Sequence, residues 1–174
     1  MLGNFVSHCF HYLEWFCGPI AGMSARISGL PDQPAMETNA GISMMFRSGA
    51  AGHVAMSCAS YLGSGHRIEF YGEDGTLMLV NETADYMRGF RLSLGRRPAQ
   101  AMDVISVADE LDRQFPSDGR IAPVSRLARR FLDGIERGAP ATSGFREGLR
   151  VQTLLDMARR ANDLERWLAI EPEK

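Results

Sequence analysis

The sequence predicts an α+β fold: an open, predominantly antiparallel sheet of about six strands with helices packed on one face, in a single domain over residues 1–174. Three observations carry this. Apolar residues recur at helical spacing at the start of the chain, alternate with a period of two through the middle, and return to helical spacing near the end. The strand-like segments follow one another across short turn-rich links with no crossover helix between them, which rules out a doubly wound parallel sheet. A chain of 174 residues with 45% hydrophobic content is long enough to bury a sizeable core.

The first helix is expected from Asn4 to Cys17, within "GNFVSHCFHYLEWFCGPI", with Asn4 as N-cap and Gly18-Pro19 as its stop. Phe5, Val6, Cys9, Phe10, Leu13, Phe16 and Cys17 fall on one face, the spacing of a helix buried on one side. Asn4, His8 and His11 lie at i, i+4 and i+7 on another, with Ser7 and Trp15 beside them, so their side chains can converge on one small volume. Tyr12 and Glu14 read, with Trp15, as rim residues.

Strands follow. "IAGMSARISG", "AGISMMF", "HVAMSCAS", "HRIEFYG", "TLMLVN" and "YMRGFRLSLG" alternate apolar and small or polar residues, separated by turn chemistry such as "RSGAAG", "YLGSG" and "GEDG". Arg67 and Glu69 belong to the exposed side of their strand. Residues 96–120 carry little period and are left unplaced. "PVSRLARRFLDGIERG" is an amphipathic helix with Pro123 near its start, Val124, Leu127, Ala128, Phe131, Leu132 and Ile135 on its apolar stripe, and Gly138 and Pro140 at its close. A second helix runs from about Phe145 to Asn162, with Leu149, Gln152, Leu155 and Ala158 along one side and Ser143 and Glu147 flanking its start as caps. "ERWLAIE" adds a last short strand.

Composition excludes several classes. A formal charge of −2 leaves no electrostatic footprint for nucleic acid, and the basic runs "RLARR" and "ARRANDLER" are solvated helix faces. No apolar stretch is long enough to cross a bilayer and no secretory leader is visible, so the expectation is a cytoplasmic protein with neither a membrane nor a nucleic-acid partner. Cys9, Cys17 and Cys58 are odd in number and lack metal-type spacing, and are read as reduced thiols. His8 and His11 lie close together, but no cysteine or carboxylate spacing completes a zinc set, so no metal is expected. A dinucleotide enzyme of the common kind needs a G-x-G-x-x-G turn between a strand and a helix, where glycine lets the backbone approach the pyrophosphate. "YLGSGHRIEF" and "GEDG" are hairpin turns instead, and no P-loop, G-x-S-x-G or H-E-x-x-H occurs. No cofactor is therefore expected on this chain alone.

In its order of elements the sequence resembles the C-terminal domain of the Gfo/Idh/MocA family of NAD(P)-dependent oxidoreductases. The resemblance rests on a polar helix pattern of the type D-x-x-x-H-x-x-D, then "HRIEFYGEDGTLML", then "RLARRFLDGIERGAPATSGFREGLRVQTLLDMARR" and a final strand, and it covers almost the whole chain. It implies an α+β domain that supplies the substrate pocket and an oligomer interface, most simply a homodimer or higher homo-oligomer through the open sheet face. It also implies a separate N-terminal Rossmann half that binds NAD or NADP and is lacking here. "MLGN" falls where an interior family segment would enter this helix, as if Met1 were internal to a longer ancestor.

Carried over by position, the family's histidine falls on His8, its preceding acidic residue on Asn4 and its following acidic residue on His11. The resemblance implies that His8 takes a proton from a sugar- or polyol-like substrate hydroxyl as hydride leaves the same carbon, a task suited to an imidazole titrating near working pH. Asn4 can orient a ring nitrogen or hydroxyl but brings no charge, and His11 can donate, accept or act as a second base. Two readings stay open: the substrate half of a dehydrogenase, inactive alone and completed by a Rossmann partner, or a non-catalytic module that binds a small ligand or drives oligomerisation.

Overall fold

The computed structural model describes residues 2–106, 114, 118–140 and 143–171. Along the chain, a single π-helical turn, Leu2–Val6, leads into α1, Ser7–Cys17. Then come β1, Ile20–Ser28; β2, Asn39–Phe46; β3, Ala51–Ser57; β4, His66–Gly72; β5, Gly75–Asn81; β6, Arg91–Arg96; and β7, Asp103–Ile105. Helices α2, Ile121–Arg137, and α3, Phe145–Asp163, and the short strand β8, Leu168–Ala169, complete the order. The fold is α+β with open antiparallel sheets, as the alternating apolar pattern implies. The strands form two four-stranded sheets, β3-β2-β1-β8 and β4-β5-β6-β7, in place of a single sheet of about six. The chain divides accordingly into two compact units, residues 1–61 with 142–174, and residues 62–141.

In the first unit, the inward residues of the sheet are Ile20, Met23 and Ala25 of β1 and Ala40, Ile42, Met44 and Phe46 of β2, all buried. Leu2, Val6 and Phe10 from the first helical segment and Leu154, Leu155, Ala158 and Ala161 from α3 join them in one core cluster. Burial of a side chain such as Phe10 contributes about 1.5–3 kcal/mol, so this layer is what holds α1 against the sheet. The pairing of β1 with β2 shifts register between Ile20 and Gly22. A Cβ on Gly22 would lie 2.6 Å from the Trp167 indole nitrogen and 2.9 Å from the Leu168 carbonyl, so this glycine lets β8 close on β1. The other face of the sheet is small and polar: Ser24, Ser43 and His53 stand in register, as do Arg26, Gly41 and Ala55.

Both helices of this unit differ in part from the sequence pattern. Helical structure begins at Leu2, so Asn4 lies inside the π turn and caps nothing. The buried stripe runs through Leu2, Val6, Cys9 and Phe10, whereas Phe5 and Phe16 are 52% and 56% exposed. In α3 the buried residues are Leu154, Leu155, Ala158 and Ala161, and Leu149 and Gln152 face outward. A single apolar residue near a helix end follows the periodic pattern without having a neighbour to pack on. At the start of α3 the Glu147 carboxylate accepts the Gly144 backbone N–H at 2.6 Å, the expected acidic cap, while Ser143 bonds elsewhere.

In the second unit β4 and β5 form a hairpin pairing Gly72 with Gly75, and β6 and β7 extend it. Ile68, Leu79, Leu92 and Ile105 stand in register on one face. Strand β7 lies in the stretch that shows no sequence period, and three residues are too few to show one. Asn81, 2% exposed, organises the following loop: its amide donates to the carbonyls of Asp85 and Arg88, and its oxygen accepts from the Thr83 N–H and hydroxyl. Gly65, at φ +81°, has its α-carbon packed so tightly on the Asn81 carbonyl that no side chain would fit. Helix α2 closes on Gly138 in the left-handed conformation, as read from the sequence. Its apolar stripe is exposed, from 51% at Leu132 to 63% at Val124, and only Ala122 is buried.

Candidate functional site

The residues singled out on α1 are carried by a helix whose position is fixed from below and from one side. Below, Val6 and Phe10 enter the core. The Tyr12 hydroxyl donates to the Cys9 sulfur at 3.1 Å, and burial pushes both the phenol and the thiol to higher pKa, so neither is an acid or nucleophile near neutral pH. To the side, Glu14 is a clamp and not a rim residue. Its carboxylate accepts the Ile20 N–H at 2.8 Å and the Arg150 guanidinium at 2.7 and 3.1 Å, while Arg150 also reaches the Ile20 carbonyl at 3.2 Å. The pair is largely buried, with side chains 17% and 12% exposed, and it ties the last turn of α1 to both the start of β1 and the first turns of α3. A lone glutamate in an aromatic stretch gives no sign of this, because its partner lies 136 residues away.

Asn4 and His8 are both exposed, and neither side chain has a hydrogen-bond partner among the described residues. Phe5, half exposed, lies beside them on the same outward surface. His11 points elsewhere: its Nε2 is 3.2 Å from the Ser143 hydroxyl, just before α3. No hydrogen bond joins any two of Asn4, His8 and His11. The helix thus presents His8 to the outside with its ring nitrogens unengaged, and His11 to the wall of a cavity of about 510 Å³ between α1, α3 and the turn after β2.

The remaining histidines are dispersed. His53 bonds Ser43 at 3.2 Å on the outer sheet face, and His66 meets the Phe90 ring edge-on at 5.6 Å. No group of three or more His, Cys, Asp or Glu side chains able to hold a metal occurs among the described residues. All three cysteines are free thiols. No helix among the described residues is long and apolar enough to cross a membrane. Arg67 and Glu69 pair at 2.6 Å on one face of β4, as their alternation indicates.

Residues 1–78 match the family model described as the GFO/IDH/MocA C-terminal domain. The family match thus takes in the first 78 of the 174 residues. An uncharacterized oxidoreductase of Synechocystis is 30% identical over 185 residues, a match that takes in 97% of this chain and 49% of that protein. Levoglucosan dehydrogenase in its apo form superposes with a TM-score of 0.80 at 15% identity, over 99% of this chain and 51% of that one. An oxidoreductase from Agrobacterium radiobacter, solved with NAD+, L-tartaric acid and magnesium, does so at 0.75 and 18% identity, over 97% and 48%. At those identities the two structures establish the fold. The chain spans about half the length of the relatives it matches.

Proposed function

We propose that this chain is a GFO/IDH/MocA-type domain, the substrate-binding and oligomerisation half of an NAD(P)-dependent oxidoreductase acting on a sugar- or polyol-like hydroxyl, with His8 as general base and Asn4 and His11 as orienting residues. The observation that carries the reading is His8 itself: an imidazole on a rigidly packed helix, open on its outer side, with both ring nitrogens unengaged among the described residues. A general base needs a nitrogen that can reach a substrate proton, and a helix locked by the Phe10 core and the Glu14–Arg150 clamp holds it without drift. Asn4, one turn earlier, offers an amide that can bond the ring or a neighbouring hydroxyl. His11 is held by Ser143, which favours a supporting role for it.

The described residues do not fit a dinucleotide. The glycine-bearing turn at Gly72 and Gly75 joins two antiparallel strands and does not lead into a helix N-terminus. The cofactor would belong to a separate dinucleotide-binding half, and calorimetry of this chain with NAD and NADP is expected to show no micromolar one-to-one binding. The free thiols favour a reducing, cytoplasmic setting. The second reading, a non-catalytic module, is favoured by the outer face of the first sheet. Gly41, Ser43 and Ala55 there are small enough for a second sheet to lie close, so a two-fold homodimer through this face is expected in sedimentation.

The decisive experiment joins the chain to a dinucleotide-binding half and replaces His8 by Ala. Turnover is expected to fall about 10²- to 10⁴-fold with the melting temperature unchanged, because the side chain is exposed. Unchanged turnover per folded molecule would overturn the catalytic reading and leave the module.

A further inference from the structure

The cavity beside His11 has a charge pattern that neither reading uses. Five of its lining residues carry ionisable groups besides His11: Arg47, Arg146 and Arg150 against Glu14 and Glu147. Both carboxylates are engaged by neighbours within the protein. Glu14 takes the Ile20 N–H and two Arg150 nitrogens, and Glu147 takes the Gly144 N–H, which together with the α3 N-terminus holds its carboxyl below the usual range. Arg47 has no carboxylate partner among the described residues. Among the described residues its guanidinium makes one side-chain hydrogen bond, from Nη2 to the Ile170 carbonyl at 2.8 Å, which fixes the side chain and leaves its other N–H donors without a partner there. The same lining includes Trp15, 78% exposed and tilted against Phe16 at 5.0 Å between ring centres. An indole held open to solvent beside a guanidinium fork is a combination that binds a ring on one side and a planar or tetrahedral oxyanion on the other.

We propose that this cavity takes the oxyanion group, carboxylate or phosphate, of a small ring-bearing molecule, with Arg47 as the charged anchor and Trp15 as the stacking wall. The acceptor oxygens meet the fork of Arg47, the ring lies on the indole, and the bidentate Glu14–Arg150 pair serves as the rigid floor. The excess of one positive charge in the lining and the start of the 19-residue helix α3 both favour an anion over a neutral or cationic guest. The proposal does not depend on the role of His8.

Calorimetry on the full chain tests it with four probes: glucose, glucuronate, glucose 6-phosphate and inorganic phosphate. Saturable one-to-one binding of glucuronate or of glucose 6-phosphate is expected, at least about tenfold tighter than glucose and weakening with salt. Whichever of the two binds more tightly identifies the oxyanion. Arg47→Ala is expected to weaken that binding about tenfold or more, Arg47→Lys by less, and Trp15→Ala to weaken the sugar anions while leaving inorganic phosphate unchanged. Phe131→Ser, on a helix that does not line the cavity, should leave all four affinities as they are, which separates loss of this site from a general effect of substitution. Absence of saturable binding by any charged probe, equal affinity for glucose and glucuronate, or unaltered affinity in both Arg47→Ala and Trp15→Ala would each overturn it. Melting curves of the two alanine variants, matched to the parent chain, exclude misfolding as the cause of a loss.

Discussion

The two units of this chain share a strand grammar and differ in what lies over it. In the first, α1 and α3 cover one face of the sheet, and fifteen buried side chains merge into one cluster. In the second, Val80, Asn81 and Ala122 are the only buried residues among those described, and the in-register Ile68, Leu79 and Leu92 are half-buried. Alternating apolar residues make a strand in both cases. A core forms only where helices close over it, and the difference shows that the pattern specifies which face seeks cover and not whether cover arrives. The candidate site sits on the covered unit, where a helix can be held rigid enough for chemistry.

This contrast can be broken by experiment. The largest effect is expected from Phe10→Ala, which should lower stability by about 3–5 kcal/mol, read by denaturant titration, because the ring is fully buried beneath α1. A loss under 1 kcal/mol would mean that the first unit is as loosely packed as the second. Next comes Asn81→Ala in the second unit, with an expected cost of about 1–3 kcal/mol, since two loop carbonyls and two Thr83 donors lose their partner. Amide exchange is expected to be slower in β1 and β2 than in β4 and β6, and the reverse order would invert the comparison.

A smaller effect is tied to pH. The Arg159 guanidinium, at 2.8 Å, holds the Glu37 carboxyl below its ordinary value. A depressed carboxyl stabilises the fold above its unfolded pKa of about 4.3 and loses that contribution as pH falls through the folded value. Arg159→Gln should therefore flatten the acid limb of the stability profile by a fraction of about 1 kcal/mol, the pair being partly solvated, and leave stability near pH 7 lowered by the same small amount. Smallest is Phe131→Ser on α2, expected to change stability by no more than about 0.5 kcal/mol because the side chain is 58% exposed. A large loss there would show that the second unit has cover.

Much of the architecture is legible in the sequence because period-two and period-3.6 patterns are local. Strands β1 to β6, the Gly138 stop of α2 and the Glu147 cap of α3 all follow from neighbours a few residues apart. The misreadings are of another kind. Phe5, Phe16 and Leu149 keep the helical spacing but sit where no surface receives them, and Leu2 enters the core through a π turn that precedes the expected start. Of the site, Asn4 and His8 are both exposed. His11 is drawn away by Ser143, 132 residues on. Glu14 reads as a rim residue, and Arg150 and Arg47 as surface charges, since their partners are remote in sequence.

The Glu14–Arg150 pair also constrains how this chain can change over time. Removing either member leaves the other charge buried without its counterpart, at a cost of about 3–5 kcal/mol, a large share of the stability of a domain this size. Replacing both together removes the buried charges but takes from the buried Ile20 N–H and carbonyl their side-chain partners. Each route away from the pair is thus costly, so an ancestor that once acquired it would be held to it. Descendants would vary the residues around α1 long before they varied the bond that fixes its end.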